Sequence, residues 1–589
     1  MQGWFDCTSM TEAGLLGSHS AYAMLGLAVF LFLAPGATAT ASDAEASPGL
    51  LPGPPTDTDH DEVRSLLAST DDAEDASLAT VLGVAEDVSD QQARSVGVEA
   101  AKAQPSSSSA STVSSVEAAS LSKAVAELAH RHDARLSGDG RASLAVLETS
   151  SPEMASAMAD LVSGFIQLEA ASMQAFEDIA IDERAPTIAA GPDQQGSALE
   201  SVHEEALTEV FAARSSFLDA VNAFATASQS SPDLTVDACP ALVIDSTATD
   251  RPYEGDCAFV LDDAGNDTYR NNAGGTAEGF PAAGLVDLAG DDTYGDVEAP
   301  RCCGANGGGL FGAGLLVDGS GDDVYHAASR AVNGGGQAGL GLLVDADGRD
   351  RYQAGHEQTV TCETDACYAR AGSWAVNGGA YMGAGTLVDG GGSDAFRAGV
   401  NASASCEAPR CWAAVGSQGV NGGGYGGPAT LVSLGGDDRY EAATNATADC
   451  TGYDCHAKAG GQGVNGGSFA GAGRLLDAAG GDRYDAGVNA RGVCDDFCEV
   501  YVGSRGTNGG GSYGPGALVD AQGTDVYRAS VGPQRACEDV CYDDDWNGEG
   551  GILFDAGGIG DEYHDPEVDC TDCTRAPREG LGALVDVNP

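Results

Sequence analysis

Between Val113 and Ser231 apolar residues recur at helical spacing, and beyond that stretch they gather into short runs returning at a longer interval. Ser151-Pro152-Glu153 is a helix start, an N-cap followed by proline at the first helical position. The stripe after it runs through Met154, Met158, Leu161, Val162, Phe165, Leu168, Met173 and Phe176. The stretch Pro186 to Gly196 breaks the pattern, and Ser197-x-x-Glu200 reads as a capping box for a helix burying Leu199, Val202, Leu207, Val210, Phe211, Leu218, Val221 and Phe224. A shorter helix is expected around Val116 to Leu136, completing a small bundle whose methionine and aromatic stripe reads as core. His130-Arg131-His132-Asp133 falls at a helix end, where the dipole favours cations.

Past residue 232 the pattern locks onto an aromatic position: Tyr269, Tyr294, Tyr325, Tyr352, Phe396, Tyr440, Tyr484, Tyr527 and Tyr563, at intervals of 25, 31, 27, 44, 44, 44, 43 and 36. One unit, Val332 to Ala354, reads VNGGGQAGLGLLVDADGRDRYQA. Its Leu-Val run predicts a short buried strand and its Asp-x-Tyr segment a second one, with glycines turning the corners between them. A unit of 25 residues is too short for a four-stranded propeller blade, whereas it fits one coil of a parallel β-helix. The expected fold is therefore an all-β repeat domain, a parallel β-solenoid of about nine coils over residues 232–589, preceded by a small α-helical bundle over 113–231. Units of 44 residues carry 17 more than the 27-residue unit, and this insertion holds a cysteine pair.

Composition sharpens these boundaries. Of 84 glycines, 14 precede residue 232 and 70 follow it. The 28 Lys+Arg stand against 89 Asp+Glu, a net charge of −61, which excludes nucleic acid as a partner and disfavours anionic membranes. Residues 42–112, rich in Ser, Ala, Asp and Pro, are expected to form a disordered acidic stalk. Within residues 1–41, the apolar run Ala21 to Ala41 ends in Ala39-Thr40-Ala41 and reads as a signal peptide or an N-terminal anchor. The residues before it carry no Lys or Arg, so translation starting at Met10 or Met24 is one alternative and an uncleaved anchor the other.

Sixteen cysteines besides Cys7 come mostly as close pairs: Cys239/Cys257, Cys302/Cys303, Cys362/Cys367, Cys406/Cys411, Cys450/Cys455, Cys494/Cys498, Cys537/Cys541 and Cys570/Cys573. They read as a disulfide framework in an oxidising, extracellular or cell-surface compartment, with pairing inside each couple the simpler connectivity. Cys570-x-x-Cys573 also has zinc-ligand spacing, but the other pairs lack it and a regular histidine partner.

The corner Asp-Gly-Ser-Gly-Asp-Asp-Val-Tyr-His at 318–326 resembles the Gly-Gly-x-Gly-x-Asp-x-hydrophobic-x nonapeptide of the repeats-in-toxin, or haemolysin-type, calcium-binding family, secreted proteins that fold as a parallel β-roll. Similar segments end at each aromatic position, separated by 16 or more residues where the family repeats in tandem. The resemblance implies calcium at Asp262, Asp267, Asp287, Asp292, Asp318, Asp323, Asp345, Asp350, Asp389, Asp394, Asp438, Asp477, Asp482, Asp520, Asp525, Asp555 and Asp561. Ser433 stands where the first aspartate of its unit belongs, and the last unit carries one extra residue. If coils stack at about 4.8 Å, equivalent aspartates repel by about 1 kcal/mol in water and about 3.5 kcal/mol at an effective dielectric of 20. Calcium would relieve this; the alternative is that the first aspartate accepts corner N–H groups as an Asx turn, without an ion.

Every carboxylate that stands out is repeated, whereas a catalytic site is a single constellation. No catalytic residues are therefore assigned, and the expected role is a structural or adhesion protein; a β-helical polysaccharide lyase or hydrolase is the alternative. Trp374, Trp412 and Tyr453 in the insertions are the candidate binding face for a glycan or protein partner, and the oligomeric state is left open. Sequons occur at Asn266, Asn401 and Asn445.

Overall fold

A computed structural model describes residues 77–95, 120–176, 204–228 and, apart from short loop segments, 233–529, with strands at 551–555, 562–565, 568–571 and 583–586. The expectations for residues 1–41, for Cys7, Cys302, Cys303, Cys367, Cys498, Cys537, Cys541 and Cys573, for Tyr453, for Asp561 and for the capping box at Ser197 lie outside the described residues.

The described residues contain five helices: α1 Leu78–Ser95, α2 Leu121–Arg131, α3 Gly138–Ser150, α4 Pro152–Ala175 and α5 Glu204–Ser228. Helix α4 starts at the Ser151-Pro152 signal, and its stripe is buried except for Met173, which is 53% exposed. The single helix expected over Val116 to Leu136 is instead two helices, because Asp133 turns left-handed at φ 51° and Ser137 caps a new start, its Oγ accepting the Gly140 N–H at 2.8 Å. The basic side chains at this corner find a partner across the bundle: His132 Nε2 lies 2.7 Å and Arg131 Nη1 3.4 Å from the buried Glu169 carboxylate.

Nearly all strands are parallel. The largest sheet has twelve strands, including Phe259–Asp262, Leu340–Asp345, Ala384–Asp389, Pro428–Ser433 and Ala472–Asp477, and a second sheet has eleven. Each repeat from Phe259 to Ala529 adds one strand to each of these sheets, in chain order and in register. Leu343, Leu387, Leu431 and Leu475 are therefore neighbours on one sheet, as Tyr352, Phe396, Tyr440 and Tyr484 are on the other. These two rows pack against each other as one core cluster. The alternate residues of the twelve-stranded sheet, among them Leu315, Val317, Leu342, Val344 and Val388, face the helices. Both faces of this sheet are thus covered, which is why its strands read as unbroken apolar runs.

The helices are part of this core rather than a separate bundle. Phe165 of α4 stacks on Phe259 at 4.9 Å and Phe217 of α5 meets the same ring edge-on at 6.0 Å. Helix α1 departs from the expected stalk over residues 42–112. Its Val81, Val84, Ala85 and Val88 are buried, Gln92 Nε2 donates to the Gly385 carbonyl at 2.7 Å, and Gln92 Oε1 accepts from Thr386 Oγ1 at 2.9 Å. No described helix is long and apolar enough to cross a membrane.

The Asn-Gly-Gly segment of each unit has a role that spacing alone did not reveal. Asn333, Asn377, Asn421 and Asn465 sit left-handed at φ 48–50°, fully buried, and each donates from Nδ2 to the next Oδ1 at 2.8–2.9 Å. The following glycine is left-handed too, and at Gly422 a Cβ would stand 2.0 Å from the Arg474 carbonyl oxygen, so no side chain fits there.

Candidate metal centre in the aspartate ladders

The two aspartates of each repeat are set by the two large sheets. The first ends a strand of the twelve-stranded sheet, so Asp345, Asp389, Ser433, Asp477, Asp520 and Asp555 occupy one register. The second lies two residues before the aromatic position that opens the eleven-stranded sheet. Asp262, Asp267, Asp287, Asp292, Asp318, Asp323, Asp345, Asp350, Asp389, Asp394, Asp438, Asp477, Asp482, Asp520 and Asp525 are all at most 3% exposed, so both rows are interior.

Each row has its own hydrogen-bond chain. In the second row, one carboxylate oxygen accepts the backbone N–H of the equivalent aspartate one repeat earlier: Asp323 N–H to Asp350, Asp350 N–H to Asp394 and Asp482 N–H to Asp525, at 2.6–2.7 Å. In the first row, Oδ2 of several aspartates accepts tyrosine hydroxyls from its own and the preceding repeat. Asp345 takes Tyr325 and Tyr352, each at 2.8 Å, and Asp477 takes Tyr440 at 2.8 Å and Tyr484 at 3.0 Å. The rings stack almost parallel with centroids 4.7–4.9 Å apart, fixing where each hydroxyl points.

Asp262, Asp287, Asp318 and Asp389 also accept the corner N–H two residues on through Oδ1, at 3.0–3.3 Å, as Asx turns, so the first three have partners on both oxygens, whereas other carboxylates keep a bare oxygen. Asp323 Oδ2, Asp345 Oδ1, Asp350 Oδ2, Asp389 Oδ2, Asp394 Oδ2, Asp477 Oδ1 and Asp482 Oδ2 are buried without a hydrogen-bond partner. Carboxylate oxygens of Asp323, Asp345 and Asp350 lie within 4.8 Å of one another, as do those of Asp262, Asp267 and Asp287, of Asp292, Asp318 and Asp323, and of Asp350, Asp389 and Asp394. Burial, reinforced by neighbouring carboxylates, raises their pKa values: Asp292 to about 7, Asp267 to about 8, and Asp323 and Asp394 to about 9. Asp345 is raised by burial only to about 6, because tyrosine hydroxyls stabilise its ionised form. An oxygen-only set of buried, inward-facing carboxylates fits a hard cation.

Two positions depart from the aspartate pattern. At Ser433 the hydroxyl donates to Asp438 Oδ2 at 2.7 Å. At the start of the ladder, Asp245 is in register with Asp262 and Tyr253 with Tyr269, an additional unit that the aromatic alignment missed. Two residues before Tyr253, where other units have the second aspartate, stands Arg251, whose Nη1 lies 2.7 Å from Asp245 Oδ2. The run Val243-Ile244-Asp245 followed by Tyr253 was the signal available for it. Asp586 likewise continues the first row, in register with Asp555.

The cysteines stack in the same way. Cys362, Cys406, Cys450 and Cys494 share one register, Cys239 and Cys257 form a disulfide, and Cys362 is disulfide-bonded. Cys406, Cys411, Cys450 and Cys455 stand as buried thiols where disulfides were expected, and sulfurs of the first three lie within 4.8 Å of one another. In the insertions, Trp374 stacks on Tyr381 at 4.7 Å and is 8% exposed, while Trp412 lies over His456 at 4.8 Å and is half-buried. Asn401 and Asn445 are exposed and linked, the Asn445 Nδ2 donating to Asn401 Oδ1 at 3.1 Å. Comparison with known protein families, curated proteins and solved structures finds no match.

Proposed function

We propose that the chain is an exported structural or adhesion protein, its repeats wound as a parallel β-solenoid with the Cys239–Cys257 disulfide near their start. The observation that carries this reading is the reuse of one buried constellation in successive repeats, which suits a rod built by stacking and not a single reaction centre. The polar ladders of aspartate, tyrosine and asparagine fix the register of each repeat on the next. The insertion segments around Trp412 and Tyr453 are the proposed face for a glycan or protein partner, whereas Trp374 is covered by its stack on Tyr381.

Calcium is the proposed neutralising ion of the aspartate ladders, as the repeats-in-toxin resemblance implies. Asp345, Asp350, Asp389 and Asp394 are representative ligands, each with a buried bare oxygen. Bound there, the ion would supply positive charge between carboxylates that water does not reach. Thermal unfolding of the full chain with calcium and with chelator tests this. The midpoint should rise in calcium; an unchanged midpoint would remove calcium from the reading and leave the scaffold. Incubation with acidic and neutral polysaccharides tests the scaffold role itself: binding without soluble products is expected, and release of soluble products would replace it with a lyase or hydrolase.

A further inference from the structure

The two departures from the aspartate pattern show what a two-aspartate repeat demands. At Asp245 the second aspartate is replaced by Arg251, which places a guanidinium 2.7 Å from the remaining carboxylate. At Asp438 the first aspartate is replaced by Ser433, which places an O–H donor 2.7 Å from the remaining carboxylate. The protein thus supplies its own cation or donor wherever one carboxylate of the pair is missing. Where both are present, three units keep a buried bare oxygen on each carboxylate, Asp345 Oδ1 with Asp350 Oδ2, Asp389 Oδ2 with Asp394 Oδ2, and Asp477 Oδ1 with Asp482 Oδ2, and two more keep one on the second aspartate, at Asp292 Oδ2 and Asp323 Oδ2.

A third change falls at the same place. Tyr253, Tyr269, Tyr294, Tyr325, Tyr440 and Tyr484 donate to the first aspartate of the following repeat, while Tyr352 donates to Asp345 of its own repeat. The ring preceding Ser433 is Phe396, which has no hydroxyl to give. The missing carboxylate and the missing hydroxyl are partners, so this rung is built differently as a unit.

We propose that each two-aspartate repeat holds one hard divalent cation, and that the row of sites is closed at its start by Arg251 and interrupted at Ser433. The cations then fall into two blocks: five pairs from Asp262/Asp267 to Asp389/Asp394, and a second block beginning at Asp477/Asp482. This rests on the cation reading of the ladders and adds which rungs are filled.

The test counts calcium bound to the full chain by equilibrium dialysis against calcium alone, with circular dichroism confirming the fold. The double variant Phe396→Tyr/Ser433→Asp restores both partners and should bind one more calcium than wild type. Asp389→Ser copies the natural interruption, and because its ring partner Phe396 offers no hydroxyl, the change strands no tyrosine of its own repeat; it should bind one fewer. Should the double variant fail to fold, Asp389→Ser still decides. Wild type that binds calcium with unchanged counts in the folded variants would overturn the interruption while leaving the cation reading. Wild type that binds no calcium would overturn both.

Discussion

At the scale of single residues, conformation and chemistry are chosen together. Asn377 must be left-handed, φ 49°, and must also receive Asn333 Nδ2 and donate to Asn421 Oδ1, each at 2.8 Å, in a fully buried row. Glycine tolerates the backbone but has no amide, and alanine has neither advantage. Asn377→Gly should therefore cost about 1–3 kcal/mol for the stranded partners, and Asn377→Ala about 1–2 kcal/mol more for the strained backbone. Chemical denaturation of the two variants checks the order, and equal stabilities would show that the amide row, not the backbone, sets the requirement. The same economy explains Ser433: a short hydroxyl reaches Asp438 Oδ2, which an alanine would leave with only the Tyr440 hydroxyl at 3.1 Å.

At the scale of elements, the docking of α1 is the test of how the layers hold together. Gln92 spends both ends of its amide on the edge of one strand, at Gly385 and Thr386, while Val81, Val84, Ala85 and Val88 cover the apolar face beside it. Gln92→Ala strands a buried carbonyl and a buried hydroxyl, an expected loss of about 1–3 kcal/mol. Faster exchange of the α1 amides than of the strand amides would accompany it; uniform loss of protection would mean that α1 and the sheet unfold as one unit. The repeat was legible in the sequence because a parallel strand buried on both faces must be an apolar run, and because the stacked ring must recur at one place in every unit. Helix α1 was harder to see. Its apolar positions follow helical spacing, but they are few and lie in a stretch whose Ser, Asp and Pro content reads as unable to bury surface. The burial is supplied by a sheet three hundred residues away in the chain, as the Gln92 to Gly385 separation of 293 shows. The aspartates were legible as repeated positions, whereas their tyrosine partners come from neighbouring repeats and follow only from register.

At the scale of the whole molecule, the charge of −61 divides into an exposed part and an interior part. The interior part gives an unusual pH dependence. Asp345 and Asp438 are raised by burial to about 6, Asp292 to about 7, Asp267 to about 8, and Asp323 and Asp394 to about 9, all from 3.8. A carboxyl whose folded pKa exceeds its unfolded value binds its proton more tightly when folded. Its stabilising contribution is complete below about pH 4 and is lost as pH rises through the folded value. The surrounding tyrosines are raised well above 10, so they stay neutral hydroxyl donors over this range. Without divalent cations the protein should thus grow less stable as pH climbs from 5 to 9, the reverse of ordinary acid denaturation. Saturating calcium should flatten the curve at the alkaline end, because the ion takes the place of the protons, and acid should then displace the ion. Melting curves at stepped pH, in chelator and in calcium, measure both limbs. A chelated protein that loses stability from pH 7 down to 5 would mean that the ladders are ionised and already compensated within the fold.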